Sequence, residues 1–238
     1  MYCSNKKHGF TLVELLVVIS IILIASSFIF IGGNGGDGAK LTSSQRIVAG
    51  IAQGARGQAI LKNAKTRLII YSENNTSAEA NIDKMLRFFG IVYWGTDQDG
   101  KEGWLAATQG TSLPEGIYFN PDGSPSSGSN LWNKNTMNLD YPRLRAGSNT
   151  DKAGGGGGEE YYYYEFNSNG TMASGFDNNW LVLQAGTLKP DASGKYEVVF
   201  TEEDKIGLRS ALILRRMGTT TRVDDPGDIK EPAAAPAP

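Results

Sequence analysis

Hydrophobic and polar positions divide this chain into three regimes. From Phe10 to Ile31, 22 residues pass with Glu14 as the only ionisable group. At about 1.5 Å per residue such a helix is about 33 Å long, enough to cross a bilayer core of about 30 Å. From Leu41 to Asn63 the pattern becomes helical and amphipathic, with Val48, Ala52, Ala55 and Ala59 at i, i+4, i+7 and i+11 and Ile51 beside them. The small residues predict a close approach to a sheet, and Thr42 or Ser43 can cap the start. After Asn63 the pattern is that of strands. Thr66–Ser72 carries the run Leu68, Ile69, Ile70, which fits a largely buried strand. Further strands are predicted over 86–94, 116–119, 161–166, 180–184, 196–200, 211–215 and 219–223. Turn signals at Asp99-Gly100, Pro121-Asp122-Gly123 and Asn169-Gly170 separate them. The expected fold is α+β, an N-terminal transmembrane helix followed by a second helix laid on antiparallel sheet.

Glycine separates the first two regimes. Residues 32–38 hold five glycines in seven positions, each costing a helix interior about 1 kcal/mol relative to alanine. A continuous rod through this point is disfavoured, and a hinge over 32–40 is expected. The divisions that follow are a leader at 1–9, an apolar helix at 10–31, the hinge at 32–40, a globular head at 41–223 and a Pro/Ala-rich tail at 224–238 that lacks the apolar content to fold. Asn130–Gly158, rich in Asn, Ser and Gly, reads as a long exposed loop.

Charge orients the apolar segment. The leader carries Lys6 and Lys7 with no acid, so the positive-inside rule puts it in the cytoplasm and everything after Ile31 outside. Ala25, Ser26 and Ser27 near the far end of the run leave ordinary signal cleavage open as an alternative. Glu14 needs a reason, because a carboxylate held in hydrocarbon costs a few kcal/mol and intramembrane ionisable groups are usually functional. One bland reading is that it reaches the interface from only about 6 Å inside the segment.

The run Lys6-Lys7-His8-Gly9 followed by Phe10-Thr11-Leu12-Val13-Glu14-Leu15-Leu16-Val17-Val18 resembles the type IV prepilin signal shared by pilins and the pseudopilins of type II secretion. The resemblance implies that a prepilin peptidase on the cytoplasmic face cuts after Gly9 and N-methylates Phe10, leaving the apolar segment on the mature protein. It further implies that the Glu14 carboxylate neutralises the Phe10 ammonium of a neighbouring subunit in the filament. Methylation keeps that amine charged, and the helix dipole adds about half a positive charge there. The glycine-rich hinge departs from the long continuous helix of the family. Ala55–Asn63 followed by Thr66–Ile70, with Leu113-Pro114-Glu115-Gly116-Ile117 and Asn167-Ser168-Asn169-Gly170-Thr171, is similar to the H-type minor pseudopilins and related minor pilins. That second resemblance spans about two thirds of the head, with insertions between the matched parts.

Composition narrows the chemistry. Without the leader, 21 basic residues face 25 acidic ones, a net charge of −4 with no pronounced basic stretch, which argues against a nucleic-acid-binding face as the main business. The only cysteine is Cys3 and the only histidine His8, so the mature chain has no disulfide, no Ser-His-Asp triad, no Cys-His pair and no Cys or His zinc site. Many major pilins carry a C-terminal disulfide, so the resemblance leans to a pseudopilin or minor pilin. The tract Gly154–Gly158 precedes Glu159 and Glu160, which would repel a phosphate, so it reads as a loop rather than a nucleotide cradle. Asp97-Gln98-Asp99-Gly100-Lys101-Glu102 is acid-rich, but an EF-hand wants an oxygen ligand at its fifth position and glycine at its sixth, where Lys101 and Glu102 stand. An Asp-Gly turn is expected instead. Tyr161–Tyr164 would turn two rings into the core and two toward solvent or a partner, in a sheet-edge or packing role.

The sequence therefore predicts a non-enzymatic structural subunit with no cofactor. It would sit in the inner membrane by a single pass, head outside the cytoplasm, then join a pilus or pseudopilus. Its partners would be prepilin peptidase, other pilin or pseudopilin subunits and the inner-membrane assembly platform. The competing class is a membrane-anchored extracytoplasmic protein whose head binds a ligand, DNA or envelope glycan.

Overall fold

The computed structural model describes residues 12–21, 36–75, 81–121, 135–142, 158–176, 179–192, 194–202, 205 and 207–224. The chain divides into two units, Met1–Gly36 and Asp37–Pro238. Within the first, residues 12–21 form a helix, α1. The expected boundaries at Gly9, Ile31 and Gly32, and the tail after Asp224, lie outside the described residues.

The second unit begins with α2, Asp37–Lys62. It starts four residues before the expected Leu41 and takes in Gly38. Asp37 in the first turn complements the positive end of the helix dipole and pairs with Lys40 at 3.4 Å. The helix stops at Asn63, which takes a left-handed φ of 48°. Asn63 N–H donates to Ile60 O and Ala64 N–H to Ala59 O, both at 3.2 Å, which is the Schellman arrangement. Leu41, Ser44, Gln45, Val48, Ala52, Ala55 and Ala59 form the buried face, and the four predicted apolar positions are completely covered.

Twelve strands follow: β1 Thr66–Tyr71, β2 Phe88–Thr96, β3 Glu102–Ala106, β4 Thr111–Ser112, β5 Ile117–Phe119, β6 Thr136–Leu139, β7 Glu159–Phe166, β8 Asn179–Ala185, β9 Thr187–Pro190, β10 Tyr196–Val199, β11 Arg209–Leu214 and β12 Thr220–Val223. They form an antiparallel sheet ordered β3-β2-β1-β7-β6 with β4 also on β2, a second ordered β12-β11-β8-β5, and the hairpin β9-β10. The main core gathers the helix face with Leu68, Ile70, Phe89, Ile91, Tyr162 and Tyr164 of the first sheet and with Leu181, Leu183, Leu212 and Leu214 of the second. One helix thus covers the inner faces of two sheets. Gln45 fixes its position over the second: its Nε2 donates at 3.1 Å to both Ala211 O and Val223 O, on paired residues of β11 and β12.

Strand β2 begins at Phe88 rather than at Leu86. Leu86 has a left-handed φ of 50°, an uncommon conformation for a bulky residue, and its backbone joins the sheets instead. Its N–H donates to Tyr71 O at 3.1 Å, while its carbonyl accepts from Phe119 N–H at 2.8 Å.

The first sheet is buried on both faces. Ile69, Tyr71, Val92, Trp104, Met137, Leu139, Tyr141 and Tyr161 form a second cluster on its outer face. This corrects two expectations. Part of Asn130–Gly158 is strand β6, and Met137, Leu139 and Tyr141 are buried there. The tyrosines do alternate between faces, but β7 is flanked by β1 and β6, and Tyr161, Tyr162 and Tyr164 are all buried with Tyr163 partly so. Neither face is left for solvent. Tyr141 crosses over Gly90 so closely that a Cβ there would clash with its ring, and its hydroxyl donates to Thr108 O at 2.6 Å.

Two substitutions on α2 should move stability in opposite directions. Ala55→Leu overfills the helix-sheet contact and is expected to cost about 1–3 kcal/mol. At Gly50 a Cβ would meet nothing within 4 Å, so Gly50→Ala is expected to stabilise by about 0.5–1 kcal/mol. Chemical denaturation followed by tryptophan fluorescence reads both.

Candidate functional site

Helix α1 carries the one sequence-predicted site residue among those described. Glu14 is exposed on it, with Val17, Val18 and Ile21 on the same helical face at i+3, i+4 and i+7. Gly9 and Phe10 lie outside the described residues. Eight large apolar side chains of α1, from Leu12 to Ile21, are each between 46% and 79% exposed. Ser20 is satisfied locally, its hydroxyl donating to Leu16 O at 2.8 Å. A helix that is apolar all round belongs in a protein core, between subunits or in a membrane. Among the described residues no helix is long and apolar enough to cross a membrane.

The head holds a buried ionic cluster that sequence reasoning missed. Arg67 on β1 donates Nε–H to Glu165 Oε2 at 2.8 Å, and Nη2 lies 2.8 Å from the same oxygen. Its guanidinium is sandwiched between the rings of Trp104, 4.1 Å away, and Tyr163, 3.9 Å away. Trp94 packs edge-on against Trp104. Arg67 and Glu165 are cross-strand partners in the β1–β7 register, so their pairing follows from the strand alignment. The signal in the sequence was an isolated arginine beside an apolar run, unreadable without the partner 98 positions away.

At the other end of the same strands, carboxylates meet phenols. Tyr71 and Tyr161 donate to Glu159 at 3.1 Å each, and Tyr162 donates to Glu73 at 2.7 Å. Burial, reinforced by these carboxylates, pushes all three phenols well above their ordinary range. They are neutral donors, not activated nucleophiles. The acid-rich segment closes as an Asp-Gly turn, as expected: Asp97 Oδ1 accepts from Asp99 N–H and Lys101 N–H at 2.9 Å each, and Gly100 has φ 77°. Among the described residues no group of three or more His, Cys, Asp or Glu could hold a metal ion.

Glu202 ties down the β9-β10 hairpin by accepting hydrogen bonds from Lys189, Thr187 and Lys205, the last at 3.1 Å. Those bonds, the one from Lys189 first, lower its carboxyl from 4.5 to about 2.

Comparison with known proteins places the N-terminus. Residues 4–30 match the prokaryotic N-terminal methylation motif. No curated protein matches the chain. Two solved structures of the minor pseudopilin EpsH from the type II secretion system of Vibrio cholerae align at 12% and 13% identity. They cover 77% and 78% of this chain and 96% and 94% of their own, with TM-scores of 0.36 and 0.37. A likeness that slight carries no argument about function.

Two predictions concern the head. Arg67→Ala leaves Glu165 buried without its main counter-charge and is expected to cost about 3–5 kcal/mol. Lys65, at 3.1 Å from Glu165 but 63% exposed, should cost under about 1 kcal/mol when replaced by Ala; urea midpoints compare the two. The folded pKa of Glu202 lies below its unfolded value, so its stabilisation is complete above about pH 4.5 and is lost as pH falls through about 2. Glu202→Gln should remove that acid step from the hairpin, read in the chemical shifts of Tyr196 and Val198. The chain carries a prepilin-type N-terminal methylation motif and is, at that end, type IV pilin-like.

Proposed function

We propose that this chain is a minor pilin or pseudopilin, a structural subunit of a type II secretion pseudopilus or type IV pilus. Prepilin peptidase cleaves it after Gly9 and methylates the Phe10 amine. The inner membrane holds it by the apolar segment until the assembly platform passes it to neighbouring subunits. The observation that carries this reading is the methylation motif at residues 4–30, within which Glu14 stands on a helix exposing apolar side chains on every side.

The chemistry of assembly follows from that pairing. In a filament, helices of neighbouring subunits supply the apolar surroundings α1 requires, and the Phe10 ammonium of one subunit supplies the counter-charge for Glu14 of the next. The ion pair is favourable because opposite charges attract strongly in a medium of low dielectric. It also fixes axial register, since only one offset between helices brings the two groups together. Within the chain's own chemistry, the neutral buried phenols and the paired Arg67–Glu165 are structural groups.

Two variants separate the steps. Gly9→Val should leave an unshortened precursor by intact mass spectrometry. Glu14→Ala should be processed normally yet fall at least about tenfold in purified filaments, the equivalent of about 1.4 kcal/mol or more. Wild-type incorporation of Glu14→Ala would refute the register role, and normal processing of Gly9→Val would refute the cleavage site.

A further inference from the structure

A cavity of about 260 Å³ lies between the β9-β10 hairpin and the junction of the two sheets. On one side stand Glu73, just past the end of β1, Leu86, whose backbone joins the sheets, and Pro121, just past the end of β5. On the other stand Tyr196 and Val198 of β10 and Phe200 just after it. Aliphatic and aromatic groups thus make much of the wall. Phe200 is fixed there by Tyr118, with ring centroids 6.4 Å apart, and by Gln184 Nε2, which donates to Phe200 O at 3.2 Å.

One polar group in that wall is incompletely satisfied. Glu73 Oε1 accepts from the Tyr162 hydroxyl at 2.7 Å, but Oε2 is shielded from solvent and has no hydrogen-bond partner among the described residues. A carboxylate oxygen that has lost water and gained nothing in return is costly and calls for a partner. Glu73 as a whole is only partly buried and lines the cavity, so the group is reached from there. Asp191 and Glu197 add two carboxylates to the lining, against the single ammonium of Lys195. Asp191 spends an oxygen on the hairpin turn, accepting from Lys195 N–H at 2.9 Å, whereas Glu197 is exposed. Such a lining attracts cations and repels anions.

We infer that this cavity receives an alkylammonium group, with Glu73 as its counter-charge. Leu86, Val198 and Phe200 suit the methylene stem behind the charged head, and the rings of Tyr196 and Phe200 are themselves attractive to a cation. Tyr162 already holds Oε1, so Glu73 offers one open oxygen. A single acceptor suits the compact ammonium, whereas the planar fork of a guanidinium is matched by two. The three carboxylates do not make a group that could hold a metal ion, which favours an organic cation. Its source is a lysine side chain of a partner protein or a free aliphatic diamine, for whose second ammonium Glu197 is available. The inference goes beyond the filament reading and does not rest on it.

Methyl NMR of the full chain in detergent micelles provides the test, with Nα-acetyl-lysine N-methylamide, 1,4-diaminobutane and the uncharged norleucine analogue as probes. The two amines should give saturating shifts at the Leu86 and Val198 methyls, and the norleucine analogue none. Tighter binding of the diamine assigns the site to free amines, and tighter binding of the lysine probe assigns it to a protein side chain. Glu73→Gln, which can still accept from Tyr162, should weaken both amines at least about tenfold. Glu197→Lys changes an exposed side chain and should weaken both as well, which keeps the test decisive if Glu73→Gln does not fold. Absence of saturation, equal binding of the norleucine analogue, tighter binding of the matching arginine probe, or unchanged affinity in either variant would overturn the inference. So would amine binding that appears only in Lys195→Met, because Lys195 would then be the group that Glu73 takes.

Discussion

The close contact between α2 and two sheets is the constraint on which the head depends. Ala52, Ala55 and Ala59 present almost no side chain to the strands, so the helix axis can come near enough for one helix to seal both inner faces. The larger side chains then come from the sheets, with Phe89, Tyr162, Tyr164 and Leu212 filling the space beneath. Gln45 turns that packing into a fixed orientation, since its two donors meet carbonyls on two different strands. A polar side chain 1% exposed is tolerated because both of its N–H groups are used.

Much of this was legible in the chain itself. The 3.6-residue spacing of Val48, Ala52, Ala55 and Ala59 located the buried face, and the run Leu68-Ile69-Ile70 located a strand covered on both sides. The misses have physical causes. Strand β6 is only Thr136–Leu139 within polar surroundings; its burial alternates, but four residues are too few for that period to stand out, and the strand is defined by pairing along the edge of β7. Strands β3, β4 and β9 are short and owe their form to pairing with a neighbour. Alternation along Tyr161–Tyr164 correctly divided the rings between two faces; what local pattern could not reveal is that the side chains of Met137, Leu139 and Tyr141 complete a second apolar cluster on the outer one. At the N-terminus the reverse holds. Gly9, Phe10 and Glu14 lie within the methylation-motif match over residues 4–30, a local signal readable without any tertiary contact.

The head and α1 set their charges in different surroundings. In the head, Arg67 and Glu165 were brought together by strand register and enclosed by rings, so a buried ion pair is satisfied within the chain. Glu14 stands instead on a helix whose other side chains are almost all apolar and outward-facing. The first arrangement encloses its charges among rings, while the second sets a carboxylate among exposed apolar side chains.

The pairing of β1 with β7 sets a schedule for the emerging polypeptide. Thr66 aligns with Phe166 and Tyr71 with Tyr161, so the strand at the centre of the first sheet waits for a partner made long after it. Contacts so distant along the chain close slowly. If the head is delivered through a membrane in sequence order, α2 and the β1-β2-β3 ribbon emerge as an incomplete sheet with Arg67 still lacking Glu165. During that interval one edge of β1 is open to strand addition by any extended segment nearby. On that route the head is most vulnerable before β7 arrives, and a chaperone that guards an unpaired strand would have its natural target there.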